Sequence, residues 1–194
     1  MTITRPTAAA WAISMATRPD VVYLDTETTG LDGTAEIVDL AVVDNAGRVL
    51  VNTLVRPGHA IPADATRIHH ITDQMVAAAP GWPQVYPALA GVLRRFPCVV
   101  VYNAPFDVRM LRQSSRSHAL PDLEAEWHCA MRRYAEFASE QEASWGGSRW
   151  QRLGVAAERL GVPPSATTHR ALDDSRTCRE VVHAMARRAA YPAD

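Results

Sequence analysis

Lysine is missing from this chain: all 20 of its basic residues are arginine. Arginine offers a planar fork that grips phosphate through paired hydrogen bonds, which suits a nucleic-acid substrate. GC-rich coding bias explains the same absence, and the many alanines and prolines point to it. Cysteine is also scarce. Cys98, Cys129 and Cys178 are odd in number and show no C-x-x-C spacing, which argues against a disulfide framework and a zinc site. Cys98 and Cys178 fall in apolar patterns, as buried thiols do, so a reducing, cytoplasmic setting is expected. No apolar run approaches the roughly 20 residues that cross a bilayer, and no membrane association is expected. A formal charge of −1 excludes a global basic field. It leaves room for an enzyme that holds a strand end through bound metal and local arginines.

Internal repeats and low-complexity linkers are absent too. The 194 residues, 47% of them hydrophobic, suit one domain with a full core. We place that domain at 20–190, after an N-terminal tail over 1–19 expected to be mobile or to form a short helix. Ala8 to Ala16 faintly resembles the apolar part of a signal peptide after Arg5, but the stretch is short and its start is interrupted by Thr and Pro.

Within the domain, Val21 to Glu27 reads as a central strand that stops at Thr-Thr-Gly. Glu36–Asp44 and Arg48–Val55 flank Asn45-Ala-Gly47, a hairpin signal that makes these two strands antiparallel. Residues 57–62 read as loop, and Thr72 begins a capped helix. Pro83–Phe96 carries apolar residues at helical spacing. Cys98 to Tyr102 is a short buried strand, parallel to the first, and Pro105 introduces a helix through about Gln113. Beyond it come a short edge strand at Trp127–Met131, a helix over Arg132–Glu142 and a loop over Ser144–Arg149. A helix over Trp150–Leu160 stops at Gly161, a flexible stretch covers 165–168, and a last helix spans Arg170–Arg188. A three-strand antiparallel meander feeding parallel βα units predicts an α/β fold, a mixed five-stranded sheet flanked by helices.

Four acids punctuate this pattern: Asp25 and Glu27 in Asp-Thr-Glu-Thr-Thr-Gly, Asp107 in Asn103-Ala-Pro-Phe-Asp, and Asp174 in His169-Arg-Ala-Leu-Asp-Asp. Asp25 and Glu27 share one face of a strand because side chains alternate. Asp107 stands in the first turn of a helix, near the positive end of its dipole. Such sheets gather ligands beyond the carboxyl ends of their strands, where these acids fall. Carboxylates crowded there repel unless cations lie between them, and all-oxygen ligation suits Mg²⁺ or Mn²⁺. His169, five residues before Asp174, is a candidate general base. On spacing alone Asp173 competes with Asp174.

Together the segments Asp-x-Glu-Thr-Thr-Gly, Asn-x-x-Phe-Asp and His-x-Ala-x-x-Asp resemble the three motifs of the DEDD exonuclease superfamily, histidine subtype. There is a particular likeness to the epsilon proofreading subunit of bacterial DNA polymerase III and its stand-alone relatives. The resemblance runs from about residue 21 to 188. In that pattern the last acid stands five after the histidine, which is Asp174; the tyrosine subtype would require tyrosine where this chain has Arg170.

The resemblance implies a ribonuclease-H-like fold and 3′→5′ release of nucleoside 5′-monophosphates from nucleic-acid 3′ ends, DNA ahead of RNA. It implies two divalent cations, Mg²⁺ or Mn²⁺, held by Asp25, Glu27, Asp107 and Asp174, with His169 as base. It also makes Thr28, Gly30, Leu31, Ile68, His69, Asn103 and Phe106 substrate contacts. Two departures stand out: Asp173 and His70 occupy positions where glycine is common. Little chain follows the last helix, so a polymerase-binding extension is not expected. Polymerase association and the choice between monomer and homodimer stay open. The competing readings are an exoribonuclease of the same fold and a non-catalytic module that binds strand ends.

Overall fold

The computed structural model describes residues 7–141, 150–164 and 169–190. The expected loop at 144–149, with Trp145, and the stretch at 165–168 lie outside them.

Three strands open the sheet: β1 (Val21–Thr28), β2 (Ile37–Asp44) and β3 (Val49–Leu54). β1 alternates cleanly, with Val21 and Tyr23 entering one core and Val22 and Leu24 the other. Being buried on both faces, it tolerates no polar residue until Asp25. The β2–β3 turn closes around Asp44, whose Oδ1 accepts the Ala46 and Arg48 N–H groups at 3.0 and 2.9 Å. Gly47 turns there at φ 84°, where a side chain would be strained. β4 (Cys98–Val101) and β5 (Glu126–Cys129) complete the sheet. The order is β3-β2-β1-β4-β5, with β1, β2 and β3 antiparallel in sequence and β4 and β5 parallel to β1. This is the mixed, ribonuclease-H-like sheet that the motifs imply.

Helices cover both faces. On one side α4 (Trp82–Arg95) and α5 (Ala104–Ser117) pack Trp82, Leu89, Leu93, Met110 and Leu111 over Val22, Leu24, Val99 and Val101. On the other lie α6 (Ala130–Gln141), α7 (Leu153–Arg159) and α8 (Ala171–Ala190). The expected helix over 150–160 is thus shorter at its start. It ends as expected at Gly161, φ 70°, with the Gly161 and Val162 N–H groups returning to the Glu158 and Ala157 carbonyls, a glycine-capped stop.

Two short helices precede α4. α2 (Ala63–His69) was not expected from the sequence; α3 (Asp73–Val76) is the helix begun by Thr72, reduced to one turn. α2 ends at His70 in the left-handed conformation, φ 60°, which gives a backbone reason for glycine at that position.

Of the two expectations for the N-terminal segment, a mobile tail or a short helix, the helix is the one formed. Ala8–Thr17 forms α1, capped by the Thr7 hydroxyl. Ala8, Trp11, Ala12 and Met15 are buried in the same core as Cys178, Val181, Val182 and Met185 of α8. The run that looked like a leader is apolar because it faces α8, and only the tertiary contact reveals this. Among the described residues no helix is long and apolar enough to cross a membrane.

Trp11 is 2% exposed. Removing such a side chain costs about 3–5 kcal/mol. Trp11→Ala is therefore expected to lower the urea midpoint of the full chain by that amount of stability. A loose tail would show a change below about 0.5 kcal/mol.

Candidate active site

The site begins where β1 outruns its neighbour. β4 pairs with β1 only from Val21 to Tyr23, so beyond that point the β1 backbone has no strand on that edge. The vacated space receives the start of α5. Thr26 donates its N–H (3.1 Å) and its hydroxyl (2.7 Å) to Asp107 Oδ1. The first turn of α5 is closed by the Asn103 carbonyl, which accepts from the Phe106 and Asp107 N–H groups. One side chain of β1 thereby fixes an acid on α5, while Asp25 and Glu27 on either side of it present their carboxylates to the other face.

The second arm is α8. Its first turn carries Asp173 and Asp174, where the helix dipole favours negative charge. It is the Asp174 carboxylate that meets the others: ligand atoms of Glu27, His169 and Asp174 all lie within 4.8 Å of one another. His169 is exposed and left-handed, φ 59°.

Burial raises every acid of the group, and neighbouring carboxylates add to it at Asp25, Glu27 and Asp174. Asp25 is held well above the ordinary carboxylate range by burial first, then by Asp107, Asp174 and Glu27. Glu27 is pushed up to about 8 by burial and by Asp174, Asp39 and Asp107, with Arg170 opposing. Asp107 rises to about 7 through burial, against the pull of its Thr26 bonds. Asp174 is raised by burial, with His169 opposing. All five expected groups therefore gather at one end of the sheet. The donor set is carboxylate oxygen with one imidazole, short of positive charge, and divalent cations fit it.

Sequence reasoning missed Asp39. This residue sits inside β2 directly opposite Glu27 in the register and is 1% exposed. Its Oδ2 accepts from Arg170 Nε at 2.9 Å, and its Oδ1 has no partner. The available signal was a single acid within the apolar run Ile37–Val43.

The Exonuclease family model (RNase T type) matches residues 22–182. The chain belongs to this exonuclease family. It is 39% identical over 174 residues to exonuclease CP81 of Escherichia phage 186, covering 87% of this chain and 89% of that protein. It is 34% identical to exodeoxyribonuclease 10 of Escherichia coli K12, over 78% of this chain and 61% of that enzyme. A solved structure of exonuclease X in complex with 5′ overhanging duplex DNA superposes with a TM-score of 0.61 at 31% identity, covering 85% of this chain and 90% of that one.

The remaining motif residues of this exonuclease surround the acids. The Thr28 hydroxyl closes a turn onto the Gly30 carbonyl at 2.8 Å, and Leu31 projects at 77% exposure. The loop that carries Leu31 is tied to α5. Arg109 donates to the Leu31 carbonyl at 3.0 Å, and Gln113 to the Ala35 carbonyl at 2.6 Å. Phe106 is half-buried beneath the Arg109 guanidinium, 5.3 Å from its ring centre, and Asn103 is exposed. Ile68 is exposed at the end of α2. His69, expected with it as a substrate contact, is 2% exposed. Its Nδ1 accepts the Ile71 N–H at 3.0 Å. Nε2 closes no hydrogen bond, and burial lowers the ring's proton affinity, with the Thr28 backbone opposing. His69 thus underlies the surface, and Ile68 is the residue presented.

A second cluster, Cys98, Glu126 and His128, lies at the opposite ends of the parallel strands. There the Trp11 indole N–H occupies His128 Nδ1 at 3.3 Å, which leaves the proton of the neutral ring on Nε2, facing Glu126 at 3.0 Å. That imidazole has no lone pair to offer a metal.

Raised acids make a pH prediction with a definite sign. Glu27 and Asp107 titrate near 8 and 7 when folded and near about 4 when unfolded. Between those limits the folded state holds more protons, so stability falls as pH rises. In chelator the melting temperature is expected to drop from about pH 5 to about pH 8.5, and Asp25→Asn should flatten the slope. A melting temperature that climbs over this range would contradict the crowded-carboxylate description.

Proposed function

We propose that this exonuclease hydrolyses the terminal phosphodiester at the 3′ end of a DNA strand, with two divalent cations, Mg²⁺ or Mn²⁺, held by Asp25, Glu27, Asp107 and Asp174. The observation that carries this reading is the meeting of the α8 acid and its preceding histidine with the β1 glutamate, all within 4.8 Å. DNA is favoured because an exodeoxyribonuclease and a duplex-DNA complex stand among the similar proteins.

In the reaction a water oxygen bonds to phosphorus and the bond from phosphorus to the 3′ oxygen breaks. A nucleoside 5′-monophosphate leaves, and the shortened strand keeps its 3′ hydroxyl. When bound, the cations would offset charge on the phosphate and on the departing oxygen. His169 takes the proton of the attacking water; an imidazole suits that work near neutral pH. Its exposure leaves it open to the substrate side, while Asp174 beneath it offsets the charge it gains. Thr26 holds Asp107 in place through the cycle. Leu31, Ile68, Asn103 and Phe106 stand at the rim as contacts for the terminal nucleotide, and Thr28, Gly30 and His69 set their backbone.

The test is digestion of 5′-labelled single-stranded DNA, duplex DNA and RNA with Mg²⁺, Mn²⁺ or EDTA. A descending ladder from the DNA with metal, and none in EDTA, is expected. Asp25→Asn and Asp174→Ala should abolish the ladder without unfolding the chain. His169→Ala should slow it by on the order of 10²–10⁴ while retaining Mn²⁺ binding. Undiminished digestion by either acid variant refutes the site. A ladder on RNA alone would replace the substrate.

A further inference from the structure

We propose that Asp39 and Arg170 form a positioning pair that seats His169 beside the carboxylate cluster. The inference rests on the reading of His169 as the base. Asp39 is costly where it stands: fully buried, opposite Glu27, with Oδ1 unpartnered. Like charges directly across a strand pair are unfavourable, and a buried carboxylate must be compensated. Ala41 and Val43, two and four residues along on the same face, are apolar and buried. What Asp39 does is bind the start of α8. Its Oδ2 accepts from Arg170 Nε at 2.9 Å and from the Ala171 N–H at 3.4 Å, satisfying one of the donors that a helix N-terminus leaves open.

Arg170 passes this anchorage in both directions. Its carbonyl accepts the Asp174 N–H at 3.0 Å, so the first turn that carries the metal-binding acid closes on it. Its peptide nitrogen joins it to His169, which is held left-handed, a conformation unfavourable for any residue with a Cβ. Such backbone persists only where its surroundings fix it. The Asp174 carboxylate draws on the His169 backbone N–H, and the bond from Arg170 to the sheet fixes the next residue along. A guanidinium paired to a buried acid within the protein is thereby committed to structure, and its role differs from that of an arginine free to meet phosphate.

The experiment is steady-state digestion of a single-stranded oligonucleotide by Arg170→Gln, Arg170→Lys and Asp39→Asn, with Mn²⁺ affinity measured by calorimetry. Arg170→Gln and Asp39→Asn should each lower kcat about tenfold or more, with KM and Mn²⁺ affinity within about twofold. The double variant should be no worse than either alone, as expected for partners in one interaction. Lysine, which cannot reproduce the Nε–H geometry, should recover only part of the rate. Arg170→Gln added to His169→Ala should cause little further loss, because the pair acts through the histidine. Additive losses, or a raised KM with unchanged kcat, would overturn the proposal and make Arg170 a substrate contact. Should Asp39→Asn fail to fold, the half-exposed Arg170 variants still decide the matter. If His169→Ala retains full rate, the assignment of the base has failed; if it is slow while Arg170→Gln is normal, only the positioning pair has.

Discussion

Burial of carboxylates together at the end of β1, with the repulsion it brings to Asp25 and Glu27, governs this molecule. Burial raises the proton affinity of all four acids, and the neighbouring carboxylates, Asp39 among them, raise Asp25 and Glu27 further. A protein does not assemble such a group for stability, since each member costs free energy when ionised without a partner. The fold tolerates it through local devices. Thr26 gives two hydrogen bonds to Asp107, the starts of α5 and α8 supply favourable dipole ends, and Arg170 faces Asp39. None of these neutralises the group. Protons or cations must, and an exonuclease uses the cations.

The sheet makes this crowding possible. β1 is buried on both faces and pairs with β2 along its full length, but with β4 over only three residues. The free edge beyond Tyr23 is where α5 enters. α8 crosses the other face, so two helices from different parts of the chain deliver one acid each to the pair already fixed on the strand. α1, packed on α8, braces the second of these helices from behind. α1 is thereby linked mechanically to the site.

Much of this was legible in the residues. Alternation in Val21–Glu27 and the Asn45-Ala-Gly47 turn defined the meander, and the acids marked where strands stop. What escaped was whatever depends on partners distant in sequence. A short helix is one of the two readings of the α1 segment, but its burial against α8 was not legible. The placement of Asp39 opposite Glu27 depends on strand register, which the chain does not spell out residue by residue. The resemblance makes His69 a substrate contact, and its burial beside the left-handed His70 shows only in the folded chain. The choice between Asp173 and Asp174 was open to spacing alone, and the phase of α8 decides which carboxylate approaches Glu27.

If crowding of the acids is the central constraint, cation binding must displace protons from them. The direct measurement is calorimetric titration of the full chain with Mn²⁺ near pH 7, repeated in buffers of differing ionisation enthalpy. The account predicts release of about one proton or more per chain, declining as pH is raised past the values of Glu27 and Asp107. Binding with no proton release at any pH, or no binding at all, would contradict it.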